Sequence, residues 1–142
     1  MNLEFNIAIH VMCFLVKHKG ERWSSKALSE SVCIHPVQIR RVTTQLIEAG
    51  LIETHRGKQG GYQANQHTAN ASLTTLYDMF VPQHMTDQRL LTGASENACL
   101  ISREIGGIMT TYYEAEFARS KAVYDGQTIH TILEKILKES TL

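Results

Sequence analysis

Four side chains able to hydrogen-bond, Gln38, Arg40, Arg41 and Thr44, fall on the polar side of an amphipathic segment that begins at Pro36. Arginine can bond guanine through two parallel bonds, and glutamine can do the same to adenine. This spacing therefore suits the reading of base edges in the major groove of DNA. Gln38 and Arg41 stand three apart, with Thr44 or Gln45 one turn further on, and are the candidates for base contact. Arg40 is the candidate for a phosphate. A second basic group follows in Arg56-Gly57-Lys58-Gln59-Gly60-Gly61-Tyr62. Arg56 and Lys58 supply charge for phosphate or the minor groove, and the glycines permit positive φ and close backbone approach. Gln59, Gly60 and Tyr62 complete the expected contact set of this turn. Ser25 and Lys26, at the start of an earlier helix, are placed to hold the DNA backbone.

The elements that must carry these groups can be read from periodicity. Phe5, Ala8, Ile9, Met12, Leu15 and Val16 recur at three- and four-residue spacing, which predicts a helix over 2–18 that ends near Gly20. Ser24 or Ser25 can cap a short second helix reaching Val32, with Trp23 opening a brief extended segment before it. Pro36 suits the first turn of a third helix, where its missing N–H does no harm. Ile39, Val42, Leu46 and Ile47 face inward on that helix, and Gly50 stops it. Leu51 and Ile52 then start a strand, and Tyr62 lies on the returning strand. Two helices, a short turn and a basic hairpin make a winged helix-turn-helix pattern. The helix pair by itself is a weak signal; the hairpin directly after it is what sharpens the reading.

In the second half, Leu73, Leu76, Tyr77 and Phe80 predict a helix that ends before Pro82. Residues 83–96 are polar and irregular. A long helix is expected over 98–124, with Ile101, Ile105, Ile108, Met109, Tyr112, Tyr113 and Phe117 in a broad apolar stripe. Such a stripe needs a partner surface, either another chain or the same one. Gly106-Gly107 costs helix stability but permits the close approach of another helix. After Asp125-Gly126, a last amphipathic helix carries Ile129, Ile132, Leu133, Ile136 and Leu137.

Composition bounds the function. The chain of 142 residues is 43% apolar and 20% charged, enough for a core. No apolar run reaches the ~18 residues of a membrane span. No basic segment followed by an apolar run suggests a secretory signal, so the cytoplasm is the expected location and the cysteines are expected as thiols. The formal net charge is zero, but it is unevenly spread. Residues 1–70 hold eight Lys or Arg and five Asp or Glu, whereas residues 71–142 hold six and nine. DNA responds to the local field of the basic half rather than to the total. There is no nucleophile elbow, phosphate loop or acid pair, so no enzyme and no catalytic residue is expected. There is also no Cys-x-x-Cys or close histidine cluster, so no structural metal is expected. Three cysteines remain. Cys13 reads as helix packing. Cys33 lies just before Pro36, and a positive helix end with His35 close by would favour its thiolate. Ordinary burial is the other reading for all three thiols.

The Met1-to-Val16 helix, Arg40-Arg41 with Leu46, Ala49-Gly50-Leu51-Ile52, the Arg56-to-Tyr62 turn and the Ser72-Leu73 helix start together resemble the Rrf2 family of bacterial winged-helix regulators. The likeness is sharpest in the wing and extends loosely to about residue 125. Within the family the chain is most similar to the thiol-based, hypochlorite-responsive HypR-type repressors. The resemblance implies a homodimer that binds a roughly palindromic double-stranded operator and represses transcription. It also implies that the long helix pairs with its counterpart in the other subunit. Iron–sulfur members carry three cysteines in the segment matching residues 90–106, and here only Cys99 stands there, with His84 nearby, so no iron–sulfur cluster or other cofactor is expected. In the family's architecture each head lies beside the other subunit's long helix, which implies a Cys33–Cys99′ disulfide. Oxidation would begin at Cys33, be resolved by Cys99, and release DNA.

The expected fold is mainly α with a small β-hairpin, a winged helix-turn-helix head plus a long dimerisation helix. The expected division is a DNA-binding domain over 1–81, a linker or sensor loop over 82–97 and dimerisation helices over 98–142. A second function class also stands, in which the same regulator answers a small metabolite or a partner protein through a pocket lined by Phe80, Tyr112 and Tyr113.

Overall fold

Every helix of the head begins at a residue whose side chain accepts one of the otherwise unbonded N–H groups of the first turn, which is why the boundaries are sharp. The computed structural model describes residues 2–81 and 92–140; His84 and most of the 82–97 segment lie outside the described residues. Asn2 accepts from the Phe5 N–H and starts α1 (Leu3–Lys17). Ser24, not Ser25, accepts from the Ala27 N–H and starts α2 (Ser25–Val32). His35 accepts at Nδ1 from the Val37 N–H and starts α3 (Pro36–Glu48), with Pro36 in the first turn. The hairpin is β1 (Ile52–His55) and β2 (Gly61–Ala64), antiparallel, with Thr54 opposite Tyr62 and His55 opposite Gly61. Ser72 caps α4 (Leu73–Phe80), and Thr128 caps α6 (Ile129–Glu139) in a reciprocal box with Thr131. Between the last two runs α5 (Leu100–Ala122), the longest of the described helices. The fold is mainly α with one small hairpin, as the sequence pattern predicts.

Two compact units make up the chain, residues 1–81 with 126–142 and residues 82–125. In the first, α1 is the hub and packs on α2, α3, α4, α6 and β2. Its Ala8, Val11, Met12 and Leu15 are fully buried, as are Leu28, Ile39, Val42, Leu46, Leu76 and Ile129 around it. Each such aliphatic side chain contributes about 1.5–3 kcal/mol by leaving water. Phe5 meets Tyr77 edge-on at 5.5 Å. The last helix rejoins this core instead of grouping with α5. Leu73 N–H donates to the Gln127 carbonyl at 2.9 Å and His130 N–H to the Ala69 carbonyl at 2.9 Å, stitching α6 to the start of α4. The sequence reading grouped 98–142 as dimerisation helices, whereas α6 packs on α1 and buries Ile129 and Leu133 there.

The second unit differs in kind. None of the residues of the 23-residue helix α5 is buried. Leu100, Ile101, Ile108 and Tyr112 are each more than half exposed.

Candidate nucleic-acid interface

The turn between α2 and α3 fixes how the third helix is presented. Cys33 closes α2 in the left-handed conformation at φ 63°, alone in this among the described non-glycine residues. The Ile34 N–H returns to the Ser29 carbonyl at 3.2 Å, and the Ser29 hydroxyl donates to the Ile34 carbonyl. Four side-chain and backbone groups of a short turn are thereby satisfied locally, and α3 leaves it in a set direction.

On α3 the buried residues are Ile39, Val42, Thr43 and Leu46. Opposite them stand Val37, Arg40, Arg41 and Thr44, all exposed, with Gln38 half-buried. The Thr44 hydroxyl donates to the Arg40 carbonyl at 2.7 Å, which leaves its oxygen free to accept. Thr43, which the sequence reading did not place, is fully buried because its hydroxyl bonds the Ile39 carbonyl at 2.8 Å. Arg41 Nη1 lies 3.4 Å from Glu4 Oε1 of α1. With the arginine 71% exposed, this surface pair is a weak tether.

The wing is held to the head by a strand-like residue that the sequence only hinted at. Trp23 N–H donates to the Tyr62 carbonyl at 2.9 Å, and Tyr62 N–H donates back to the Trp23 carbonyl at 2.7 Å. Trp23 itself is anchored on α1, edge-on to Phe14 at 4.7 Å and against His18 at 5.2 Å. Arg22 donates from Nε to Gln63 Oε1 and from Nη1 to the Gln59 carbonyl, both at 3.4 Å. Sequence reasoning missed Arg22, since one arginine in a loop carries no periodic signal. At the far end of the hairpin, Asn65 Nδ2 donates to the Gly50 carbonyl at 3.0 Å, and Thr68 Oγ1 donates to the Leu51 carbonyl at 2.6 Å. The open end of the hairpin is thus tied to the exit of α3, and its returning strand and the Gln59 backbone to Trp23 and Arg22.

At that tip Arg56, Lys58 and Gln59 are exposed, with no ion pair shown for either cation. Gly60 has no positive φ; a Cβ there would meet the His55 carbonyl oxygen at 2.3 Å, so it serves close approach alone. Gly61 needs both properties, having φ +142° and Trp23 backbone atoms beside it. Ser25 and Lys26 sit in the first turn of α2. Beside that helix start, an open groove of about 720 Å³ is lined by Glu21, Arg22, Ser24, Lys58 and Gln59, so two cations and one carboxylate share it.

The three thiols differ sharply. Cys13 is buried, its sulfur 3.9 Å from the Ile129 carbonyl, and burial pushes its thiol up to about 11. Cys33 is exposed, and its sulfur donates to the Glu30 carbonyl at 3.6 Å. It therefore stands at the carbonyl end of α2, and His35, rather than Cys33, occupies the positive end of α3. Cys99 caps α5 and is exposed. No full cap hydrogen bond forms through its sulfur, yet the backbone N–H of Ser102 and then that of Ile101 draw its thiol below the ordinary value. Among the described residues no three His, Cys, Asp or Glu side chains gather in a way that could hold a metal ion, and the cysteines sit on three different helices or their ends. Phe80 is buried in the head. No described helix is long and apolar enough to cross a membrane.

Comparison with known proteins agrees with this geometry. The profile of the Rrf2 family, described as an iron-dependent transcriptional regulator, matches residues 1–135. Among solved structures, a Lactobacillus plantarum protein named for a proposed role in transcriptional regulation is 28% identical, with a TM-score of 0.85 over 96% of this chain and 91% of that one. CymR of B. subtilis, the global cysteine regulator, is 18% identical, with a TM-score of 0.62 over 95% of this chain and 96% of that one. IscR of T. potens is 18% identical, with a TM-score of 0.64 over 96% and 87%. No curated protein matches the chain. An exposed polar helix face, a tethered basic wing and a family match along nearly the whole chain lead to one statement: this chain belongs to the Rrf2 family of DNA-binding transcriptional regulators, and it is not an enzyme.

Proposed function

We propose that the protein acts as a homodimer that represses transcription by setting two α3 helices into successive major grooves of a roughly palindromic operator. The observation that carries this is the pairing of two unsatisfied surfaces on one chain. The head offers a polar helix face beside a free cationic wing tip, and α5 offers an uncovered apolar stripe. Two heads joined through α5 would present two recognition helices, as a two-fold operator requires. Gln38, Arg41 and Thr44 take the base edges. Arg40, Ser25, Lys26, Arg56, Lys58 and Gln59 take phosphate or the minor groove, with Gly60 and Tyr62 shaping the wing.

Operator duplexes selected from a random pool test the assignment. Arg41→Ala is expected to relax preference at one position per half-site, at a cost of about 1–3 kcal/mol for the preferred base. Lys58→Ala is expected to weaken all duplexes alike and to lower the slope of log affinity against log salt by about one for each wing. If neither substitution changed binding, α3 and the wing would not be the contact surface.

A thiol switch is the second reading, and the exposed, acidified Cys99 favours it. A lowered thiol holds more of its sulfur as thiolate at neutral pH, so Cys99 is able to take the first step as well as the resolving one that the sequence assigned to it after Cys33. A two-electron oxidant such as hypochlorite converts that thiolate to a sulfenic acid. The exposed Cys33′ thiol then displaces water to give the intersubunit disulfide. Alkylation followed by mass spectrometry should label Cys99 readily at neutral pH and Cys13 only on unfolding or near pH 11. Non-reducing electrophoresis after hypochlorite should give a covalent dimer that requires both Cys33 and Cys99. A persistent monomer band with DNA binding intact would remove the switch and favour a metabolite or a partner protein as the signal.

A further inference from the structure

We propose that Val37 is a specificity residue that reads the 5-methyl group of a thymine in the operator, an inference that rests on α3 being the groove-entering helix. Among the large apolar residues of α3, it alone stands exposed. Ile39, Val42 and Leu46 are fully buried, whereas Val37 is 57% exposed. Its spacing is what gives this meaning. Val37, Arg41 and Thr44 recur at intervals of four and three, so they form one outward line along the helix. Val37 occupies the first turn of α3, directly after the His35 cap and Pro36. The N-terminal residues of a recognition helix are the ones that reach base edges.

The chemistry of this line is complementary. Arg41 offers donors and Gln38 offers both a donor and an acceptor, which together read the polar edges of bases. Neither can sense the one apolar group in the major groove, the thymine methyl. An aliphatic side chain can, because the contact removes both methyl surfaces from water. A second copy of this chain would be a poor cover for Val37, since its neighbours Arg40 and Arg41 would bring like charges together. DNA meets the cations with phosphate and the valine with a methyl on the same approach.

The test uses the full-length protein and duplexes selected from a random pool, in which each thymine is replaced in turn by deoxyuridine. This removes only the methyl. The wild-type protein is expected to lose about fourfold in affinity at one thymine in each half-site. Val37→Ala is expected to bind the thymine and uracil forms of that position equally, and Val37→Thr, which keeps one γ-methyl, to retain part of the difference. Indifference of the wild type to every replacement would overturn the proposal. So would an undiminished methyl effect in Val37→Ala, which would assign the contact to another residue. Failure of the pool to yield any enriched duplex would overturn it together with the DNA reading of α3, and so separates the two failures.

Discussion

Gly61→Ala should uncouple the wing from the head. A Cβ at Gly61 would sit 2.6 Å from the Trp23 carbonyl oxygen and 2.7 Å from its carbonyl carbon, at a φ of +142° that other residues rarely adopt. Backbone cannot yield as a flexible side chain would, so the pair of hydrogen bonds joining Trp23 and Tyr62 must open. The φ region alone costs about 1–3 kcal/mol, and the broken bridge adds to it. A fall in Tm of roughly 2–4 °C for each kcal/mol is expected. Trp23 is the single tryptophan of the chain, so its fluorescence reports the bridge directly. Gly57→Ala is the matched control, since Gly57 also has positive φ, +106°, but nothing lies within 4 Å of the added carbon. It should bear strain without a clash and leave the tryptophan signal in place. DNA affinity should fall in Gly61→Ala for all duplexes, because Arg56 and Lys58 lose their fixed position beside α3. Equal melting temperatures for the two variants would mean that the Trp23 bridge contributes nothing to wing position.

The same contrast shows what a sequence can disclose. The helix pair and hairpin were legible because each carries a short-range signal: Ile39, Val42 and Leu46 at helical spacing, Pro36 at a first turn, and glycines between two short apolar runs. The contact face of α3 followed from the same periodicity, since whatever is not inward is available to DNA. Three things were not legible, each because it depends on a distant partner. Trp23 pairs with Tyr62 across the wing, and Arg22 reaches Gln59 and Gln63. The last helix returns to α1 although its amphipathic pattern would serve equally well beside α5. The left-handed turn at Cys33, which makes that residue the cap of α2, depends on bonds between Ser29 and Ile34 that no spacing announces. Local pattern fixes what an element is, whereas the sign of the field at one atom depends on which end of which helix it faces.

Ile108→Glu should split the protein into monomers and take most of its operator affinity with it. Ile101, Ile105, Ile108 and Tyr112 follow one another at intervals of four, three and four, so they form one line on α5. Ile101 is 73% exposed, Ile108 58% and Tyr112 60%, far more aliphatic and aromatic surface than a lone helix face keeps in water without a partner. A carboxylate at position 108 would be buried without a counter-charge twice per dimer, at about 3–5 kcal/mol each. That corresponds to a rise of about 10⁴-fold or more in the dimer dissociation constant, measurable by sedimentation or light scattering. Loss of the second head removes bivalent binding, and operator affinity should fall by about 10²- to 10⁴-fold. The head should remain folded, because its core is built from α1 to α4 and α6. Arg103→Gln, on the opposite side of α5, should leave both measurements unchanged. A glutamate variant that sediments as the wild type does would place the subunit contact elsewhere, and a monomeric wild type would leave the two-headed reading of the operator without support.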